Sequence, residues 1–372
     1  MKKPIAIWMP GGVGGGYYSQ GIPVITKLID DLSNVYTISI YSLHRPNKDF
    51  KPGGYELISI DKRIQFNWLR WILLGLLFLK NHSKKKYQLL YAFWGFPAGV
   101  VTVVLSKLVS LPSIIHLQGG DAVHIPSIGY GSLNGYSKKL MLWAYHRCTM
   151  LIALTAFQKG KLIEAGLKRS VEVISYGPDL KLFLSSPGVT QSQPIHFLHV
   201  GNLLPVKDQI TLLNAFASIT KSISAELRII GEDHLNGLVQ ERCRKLHLQH
   251  KVEFIDIQPY EKMPLHYTWA DVLLMTSVYE GQCMAIAEAA ASGVLIAGTR
   301  VGMLADWNDH FACVVEISDA EALASEVVKT IQNPEDMYNR TEQARKEVIG
   351  KDRDWTFKEI CKCIENCLST HL

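Results

Sequence analysis

The sequence predicts an α/β protein made of two doubly wound, Rossmann-like halves, and three observations predict it. Short apolar runs of strand length alternate with amphipathic stretches at the spacing of βαβ units. The alternation halts at a polar connection containing Pro and Ser, residues 185–194, and then restarts. A chain of 372 residues, at roughly 150 per domain, has room for two such halves.

The first half supplies candidate buried strands at residues 5–9, 37–41, 89–92, 113–117, 150–154 and 171–175, with amphipathic stretches such as 20–32 and 99–109 between them. The second supplies strands at 195–200, 226–230, 252–255, 272–275, 294–297 and 312–315, with helices at 209–222 and 236–246. A last helix, 356–368, is free to dock on either half. The expected domains are residues 1–180, residues 190–350, and a C-terminal segment, 355–372, packing back on the first. Two such sheets facing each other form an interdomain cleft, and open α/β sheets bind ligands at the carboxyl ends of their strands.

Composition narrows the function classes. With 48% hydrophobic and 20% charged residues the chain is not disordered, and 28 Gly and 15 Pro without a G-X-Y period exclude a fibrous protein. Seven Cys, odd in number and unevenly spaced, argue against a disulfide framework and for a reducing compartment. The apolar run 5–9 breaks at Pro10 and the glycines, too short for a secretory signal, and reads as a first strand. A cytoplasmic protein is expected. Charge is asymmetric: residues 1–180 carry 21 Lys and Arg against 9 Asp and Glu, whereas residues 181–372 carry 18 against 25. A basic half suits an anionic partner, although a solvated lysine-rich surface explains the charge as well. No aromatic-interleaved basic module accompanies it, so nucleic acid is not expected.

The segment WLRWILLGLLFL (68–79) is about 12 residues, against the roughly 20 needed to span a bilayer. Arg63 and Arg70 flank its start and Lys80 and Lys84-Lys85-Lys86 its end. The whole segment, 63–86, suits a helix lying in an anionic membrane interface on the cytoplasmic face. A helix packing on its own domain with a solvated lysine end is the commoner case and is slightly favoured.

Three loops carry candidate chemistry. Gly11-Gly12-Val13-Gly14-Gly15-Gly16, between the first strand and helix, permits close approach of backbone N–H groups to a ligand. It is not a dinucleotide fingerprint, because Tyr17 occupies the third glycine position and the second strand ends without an acidic residue. The second loop, Ser277 to Gly293, places Glu280 before and Glu288 within an alanine-rich helix, with the amides of Gly281, Gln282, Cys283 and Met284 at its N-terminus. The third, Gly201-Asn202-Leu203-Leu204-Pro205-Val206-Lys207, puts a lysine at a strand's carboxyl end, where it could reach a diphosphate, although taken alone it reads better as a surface lysine.

These residues resemble the retaining glycosyltransferases of family 4, which have the GT-B fold. The resemblance runs over nearly the whole chain. It includes the glycine loop, Trp94-Gly95-Phe96-Pro97-Ala98-Gly99, His116-Leu117-Gln118-Gly119-Gly120-Asp121, Tyr176-Gly177-Pro178-Asp179 and, most specifically, Gly201 to Lys207 and the Glu-x7-Glu pair Glu280 and Glu288. It implies a nucleotide-sugar donor on the C-terminal domain and a saccharide or lipid-linked acceptor on the N-terminal one, in cell-surface polysaccharide or glycolipid synthesis. Lys207 would contact the donor diphosphate, Glu280 the sugar and Glu288 the ribose, with backbone amides at Gly281, Gln282, Cys283 and Met284 holding phosphate and sugar. Gly14, Gly15 and Asn202 complete the donor set, and the base would be read around Gly231, Glu232, Ile257 and Pro259. Tyr17, His116, Gln118 and Asp121 fall on the acceptor side. No cofactor or metal is expected. The sequence departs from the family at Asn202, where Arg is frequent, at Gln118, where His is frequent, and at Gly302 to Asp306, which lacks a second glycine. His116, two residues before Gln118 on an extended strand, is a candidate substitute.

Rival readings are a metal-dependent enzyme using Asp352-Arg353-Asp354, a GT-B epimerase or phosphorylase, and a non-catalytic nucleotide-sugar binding protein. The triplet lies beyond the last strand and reads better as a turn or cap before the final helix. Cys361, Cys363 and Cys367, with His371, have spacing unlike a zinc site and read as helix packing.

Overall fold

The computed structural model describes residues 2–60, 64–184, 193–307 and 309–370. The chain divides into two compact units, Met1–Ser175 with Thr356–Leu372, and Tyr176–Trp355. Arg63, His371 and residues 185–192 of the polar connection lie outside the described residues.

Unit 1 runs β1 (Pro4–Met9), α1 (Pro23–Val35), β2 (Thr37–Ser42), β3 (Glu56–Ser59), α2 (Asn67–Lys85), β4 (Leu89–Phe93), α3 (Val100–Val109), β5 (Ser113–His116), α4 (Gly135–Arg147), β6 (Met150–Ala153), α5 (Ala156–Glu164) and β7 (Glu172–Val173). Its sheet has the order β3-β2-β1-β4-β5-β6-β7, parallel throughout. The reversal of direction at β1 and β4 is the doubly wound signature. Strands β1, β4 and β5 are buried along almost their whole length, which is why they read as continuous apolar runs. Helices α2, α3 and α4 contribute Trp71, Leu74, Phe78, Val103, Met141 and Ala144 to one core with Trp8, Tyr41 and Leu90.

Unit 2 runs α6 (Leu180–Phe183), β8 (Ile195–Val200), α7 (Gln209–Ile219), β9 (Ala225–Ile230), α8 (Leu238–Lys245), β10 (Val252–Ile255), α9 (Met263–Trp269), β11 (Val272–Met275), α10 (Met284–Ala291), β12 (Leu295–Thr299), α11 (Met303–Asp306), β13 (Cys313–Val315), α12 (Ala320–Ile331) and α13 (Pro334–Gly350). Its parallel sheet has the order β10-β9-β8-β11-β12-β13. The alanines of α10 let it press on the sheet, and every residue from Ala285 to Ala291 is buried. The final helix, α14 (Arg353–Ser369), starts in unit 2 and contributes Thr356 onward to unit 1. There Glu365 pairs with Lys3 and accepts a hydrogen bond from the Tyr36 hydroxyl at 3.0 Å.

Several element ends differ from expectation for local reasons. The first helix begins at Pro23, whose fixed φ suits a first turn, rather than at Gln20. Helix α8 starts only after Gly237, in the left-handed region at φ 83°. The expected strand 171–175 contracts to Glu172–Val173, an exposed edge pair bonded to β6 alone. β3 was not expected: as a half-buried edge strand it lacks an apolar run. Asp352 accepts the Trp355 N–H at 2.8 Å, a cap on α14, and Cys363 and Cys367 are buried on that helix.

Candidate functional site

In unit 2 the candidate residues gather at the carboxyl ends of four adjacent strands. Ile257 and Pro259 follow β10, Gly231 and Glu232 follow β9, Asn202 and Lys207 follow β8, and Glu280 to Met284 follow β11.

The loop after β8 is tied down before it reaches Lys207. Asn202 Oδ1 accepts the Glu232 N–H at 3.1 Å, and the Leu203 N–H donates to the Glu232 carbonyl at 2.8 Å, so the loops after β8 and β9 lie side by side. Gly231 is required there, because a Cβ would stand 2.3 Å from the Gly201 carbonyl oxygen. The Thr276 hydroxyl reaches the carbonyl oxygens of Lys207 and Asp208 at 3.1 and 2.9 Å, and the Val278 N–H donates to Val206 at 2.8 Å. The lysine's backbone is thereby held to the end of β11. Its ammonium lies 2.6 Å from Glu280 Oε1, an oxygen that also accepts from the Ser277 hydroxyl at 2.7 Å. Both side chains of the pair are mostly buried, at 18% and 14% exposed. Gly302, at φ 56°, packs on the same carboxylate stem, where a Cβ would meet Glu280 Cβ at 2.7 Å.

Beyond Glu280, Gln282 is buried with its side chain turned to main chain. Its Oε1 accepts from the Tyr176 N–H at 2.8 Å and its Nε2 donates to the Tyr176 carbonyl at 2.6 Å. Cys283 is half-buried and adopts φ 81°, turning the chain into α10 at Met284. In the first turn of α10 the Ile286 N–H donates to the Cys283 carbonyl at 3.2 Å, and this N-terminus carries the positive end of the helix dipole. Glu288, in the second turn, is only 6% exposed. It accepts from the Tyr267 hydroxyl at 2.8 Å and also from Tyr260. Burial pushes its pKa up to about 7, the two hydroxyls opposing the rise.

Sequence reasoning missed several of these supports. His199 is fully buried, with Nδ1 2.8 Å from the Leu274 carbonyl, so that nitrogen carries the proton and Nε2 accepts. The Gln209 amide donates to Nε2 at 3.2 Å and to the Asn202 carbonyl at 3.1 Å. Burial lowers the imidazole pKa to about 4. Ser277, three residues before Glu280, was the one support with a local signal; Tyr260 and Tyr267 are too distant in sequence to have one.

In unit 1, Gly14 (φ 64°) leaves space filled by the Phe50 ring, 2.3 Å from where its Cβ would stand. Asn47 braces the same loop, donating from its amide to the Gly14 carbonyl at 2.7 Å and from Nδ2 to Gly16 at 2.8 Å. Gly15 has open space around it, and Tyr17 is exposed. His116 is a core residue. It is fully buried, 2.7 Å from the Tyr91 hydroxyl, and burial depresses its pKa to about 3. Its neutral ring therefore lies inside the sheet and is not presented at the surface. Gln118 is also buried, its Nε2 3.3 Å from the His116 carbonyl. Asp121 accepts the Gln118 N–H at 2.7 Å together with the amides of Gly95 and Phe96, and burial raises its pKa to about 7. Among the described residues no group of three His, Cys, Asp or Glu is placed to hold a metal ion.

Two parallel-sheet Rossmann-like units with this strand-end cluster define the GT-B class of fold. Solved structures agree. The Anabaena protein HepE, crystallised with UDP and glucose, superposes with a TM-score of 0.79 at 16% identity, covering 98% of this chain and 100% of that one. Sucrose-phosphate synthase from Thermosynechococcus elongatus gives 0.80 at 16% identity over 99% and 100%. Residues 164–347 match the family described as glycosyl transferases group 1, a span that contains Lys207, Glu280 and Glu288. The chain thus has a GT-B fold whose residues 164–347 are similar to the glycosyl transferases group 1. Among curated relatives, the N-acetyl-alpha-D-glucosaminyl L-malate synthase of Bacillus anthracis is 25% identical over 186 residues, 49% of this chain and 48% of that protein. An uncharacterized glycosyltransferase of Methanocaldococcus jannaschii is 23% identical over 250 residues, 67% and 66%. The chain spans less than two thirds of the length of either relative.

Proposed function

We propose that this protein is a retaining glycosyltransferase that moves a sugar from a nucleotide-sugar donor to a saccharide or lipid-linked acceptor in the synthesis of a cell-surface polysaccharide or glycolipid. The observation that carries the reading is the Lys207–Glu280 pair, 2.6 Å apart beside the N-terminus of α10 and within the span matching glycosyl transferases group 1. Cleaving a nucleotide-sugar bond develops negative charge on the leaving phosphate and positive character at the anomeric carbon. An ammonium and a row of helix N-terminal amides stabilise the first. Glu280, released from Lys207 as the diphosphate takes its place, orients the sugar hydroxyls. Attack comes from the face that the leaving group occupies, and the leaving phosphate accepts the acceptor's proton. Glu288 holds the ribose, exchanging tyrosine hydroxyls for those of the sugar. The base lies against Gly231, Glu232, Ile257 and Pro259. Gly14 and Gly15 of the unit 1 glycine loop complete the donor site, and Tyr17 lies on the acceptor side. Transfer proceeds without a metal.

That HepE was crystallised with UDP and glucose supports starting with UDP-sugars. A thermal-shift screen over UDP, GDP, ADP and their sugars is expected to identify one nucleotide family that raises the melting temperature, since a ligand stabilises the state that binds it. Transfer from that donor is expected to continue in chelator. No stabilisation by any nucleotide, or dependence on added metal, would overturn the corresponding part of the proposal.

A further inference from the structure

Helix α2 presents one line of side chains to solvent at i, i+4 spacing: Trp68, Ile72 and Leu76, followed by Lys80 and Lys84. The three apolar members are 63%, 51% and 59% exposed, and Phe66, just before the helix, is 63% exposed. Their opposite side is committed to the core through Trp71, Leu74 and Phe78. Beside α2 lies α3, since Gly75 faces Leu105. The two crossovers from β3 to β4 and from β4 to β5 run in the same direction along the sheet, which puts both helices in one layer. The outer side of α3 adds Val104, Lys107 and Leu108, all exposed.

The charge around this face is predominantly positive, Glu56 beside Lys85 being the exception. Residues 64–163 hold eleven Lys and Arg and one acidic residue, Asp121, which is buried and engaged by main-chain amides. Of the cations near α2, Arg70 is buried against the Leu43 carbonyl and Lys85 pairs with Glu56. Lys80, Lys84, Lys86 and Lys107 are exposed. No helix among the described residues is long and apolar enough to cross a membrane.

We propose that the outer face of the α2–α3 layer docks on an anionic lipid surface, with Phe66, Trp68, Ile72, Leu76 and Leu108 entering the headgroup boundary and Lys80, Lys84, Lys86 and Lys107 meeting lipid phosphates. A partly apolar, tryptophan-bearing strip bounded by lysines and free of carboxylates matches that boundary in polarity and charge. A second copy of the chain would bring like charges together at the same face.

Flotation with vesicles of mixed phosphatidylglycerol and phosphatidylcholine, without nucleotide or acceptor, tests docking separately from sugar transfer. The wild type is expected to float with these vesicles, and far less with phosphatidylcholine alone or in 0.5 M salt. Substituting Lys80→Gln, Lys84→Gln and Lys107→Gln together is expected to weaken partition roughly a hundredfold, at about fivefold per lysine. The pair Ile72→Ser and Leu76→Ser is expected to weaken it at least about tenfold. All five positions are exposed, and unchanged melting curves would show that folding is intact. The proposal is overturned if the wild type fails to float, if both variants float like the wild type, or if sedimentation shows a dimer that Ile72→Ser and Leu76→Ser dissociate without any vesicle binding.

Discussion

Each unit buries a carboxylate whose pKa is raised to about 7, and the two are held in opposite ways. Asp121 in unit 1 is gripped by main-chain amides of Gln118, Gly95 and Phe96, whose positions are fixed by the fold. Glu288 in unit 2 is gripped by the side-chain hydroxyls of Tyr267 and Tyr260, and nearby Glu280 by Lys207 and Ser277. Side-chain partners can be exchanged for those of a ligand at the cost of a rotation, whereas main-chain partners cannot. Asp121 therefore ties two loops together through main chain, whereas the carboxylates of unit 2 are held by rotatable side chains.

The contrast can be broken most sharply at Lys207. Lys207→Ala and Glu280→Gln are each expected to lower transfer by roughly 10²–10³-fold while leaving the melting temperature close to wild type, as measured by initial rates with the stabilising donor. Wild-type rates in both variants would leave the pair without a function. The reverse signature is expected for Asp121→Ala: three buried amides lose their acceptor, and urea unfolding should show a loss of about 3 kcal/mol. Donor affinity in unit 2 should be unaffected. Gly231→Ala tests how far the loops of unit 2 rely on close backbone approach. A loss of about 2 kcal/mol is expected from driving the loops after β8 and β9 apart, accompanied by weaker nucleotide binding in calorimetry.

The smallest effect is a pH slope. Glu288 has a folded pKa near 7 against an ordinary 4.5, so between these values the native state binds more protons than the unfolded chain. Its contribution thus falls as pH rises from 4.5 to 7, by about 1 kcal/mol per unit at most. Glu288→Gln keeps an acceptor for the tyrosines and removes the slope. The variant should match wild type near pH 4.5 and exceed it in thermal stability near pH 7. Parallel profiles would mean that Glu288 is not held in this way.

How much of this was legible in the sequence follows from what each feature depends on. Central strands such as β4, β11 and β12 are buried on both faces and announce themselves as apolar runs, whereas the half-buried edge strand β3 does not, and the run at 171–175 keeps only the exposed edge pair β7. Lys207 and Glu280 were visible because two charged loops fall at carboxyl ends of strands in one half and because both loops resemble a known family, a lone lysine or carboxylate there being no more than a surface group. Their 2.6 Å pairing was not, since it joins positions 73 residues apart. The turning of Gln282 toward Tyr176, the brace from Asn202 to Glu232 and the burial of His116 all depend on neighbours that only the folded sheet supplies.

The path of α14 carries a consequence for biosynthesis. Because unit 2 interrupts unit 1 in sequence, the ribosome finishes β7 about 180 residues before it releases the segment bearing Ile360, Ile364 and Cys367, all buried in the finished protein. At roughly 5–20 residues per second, unit 1 waits on the order of 10–40 s with the seat of its closing helix bare. Nascent chains stalled before residue 356 should consequently be the species that chaperones capture.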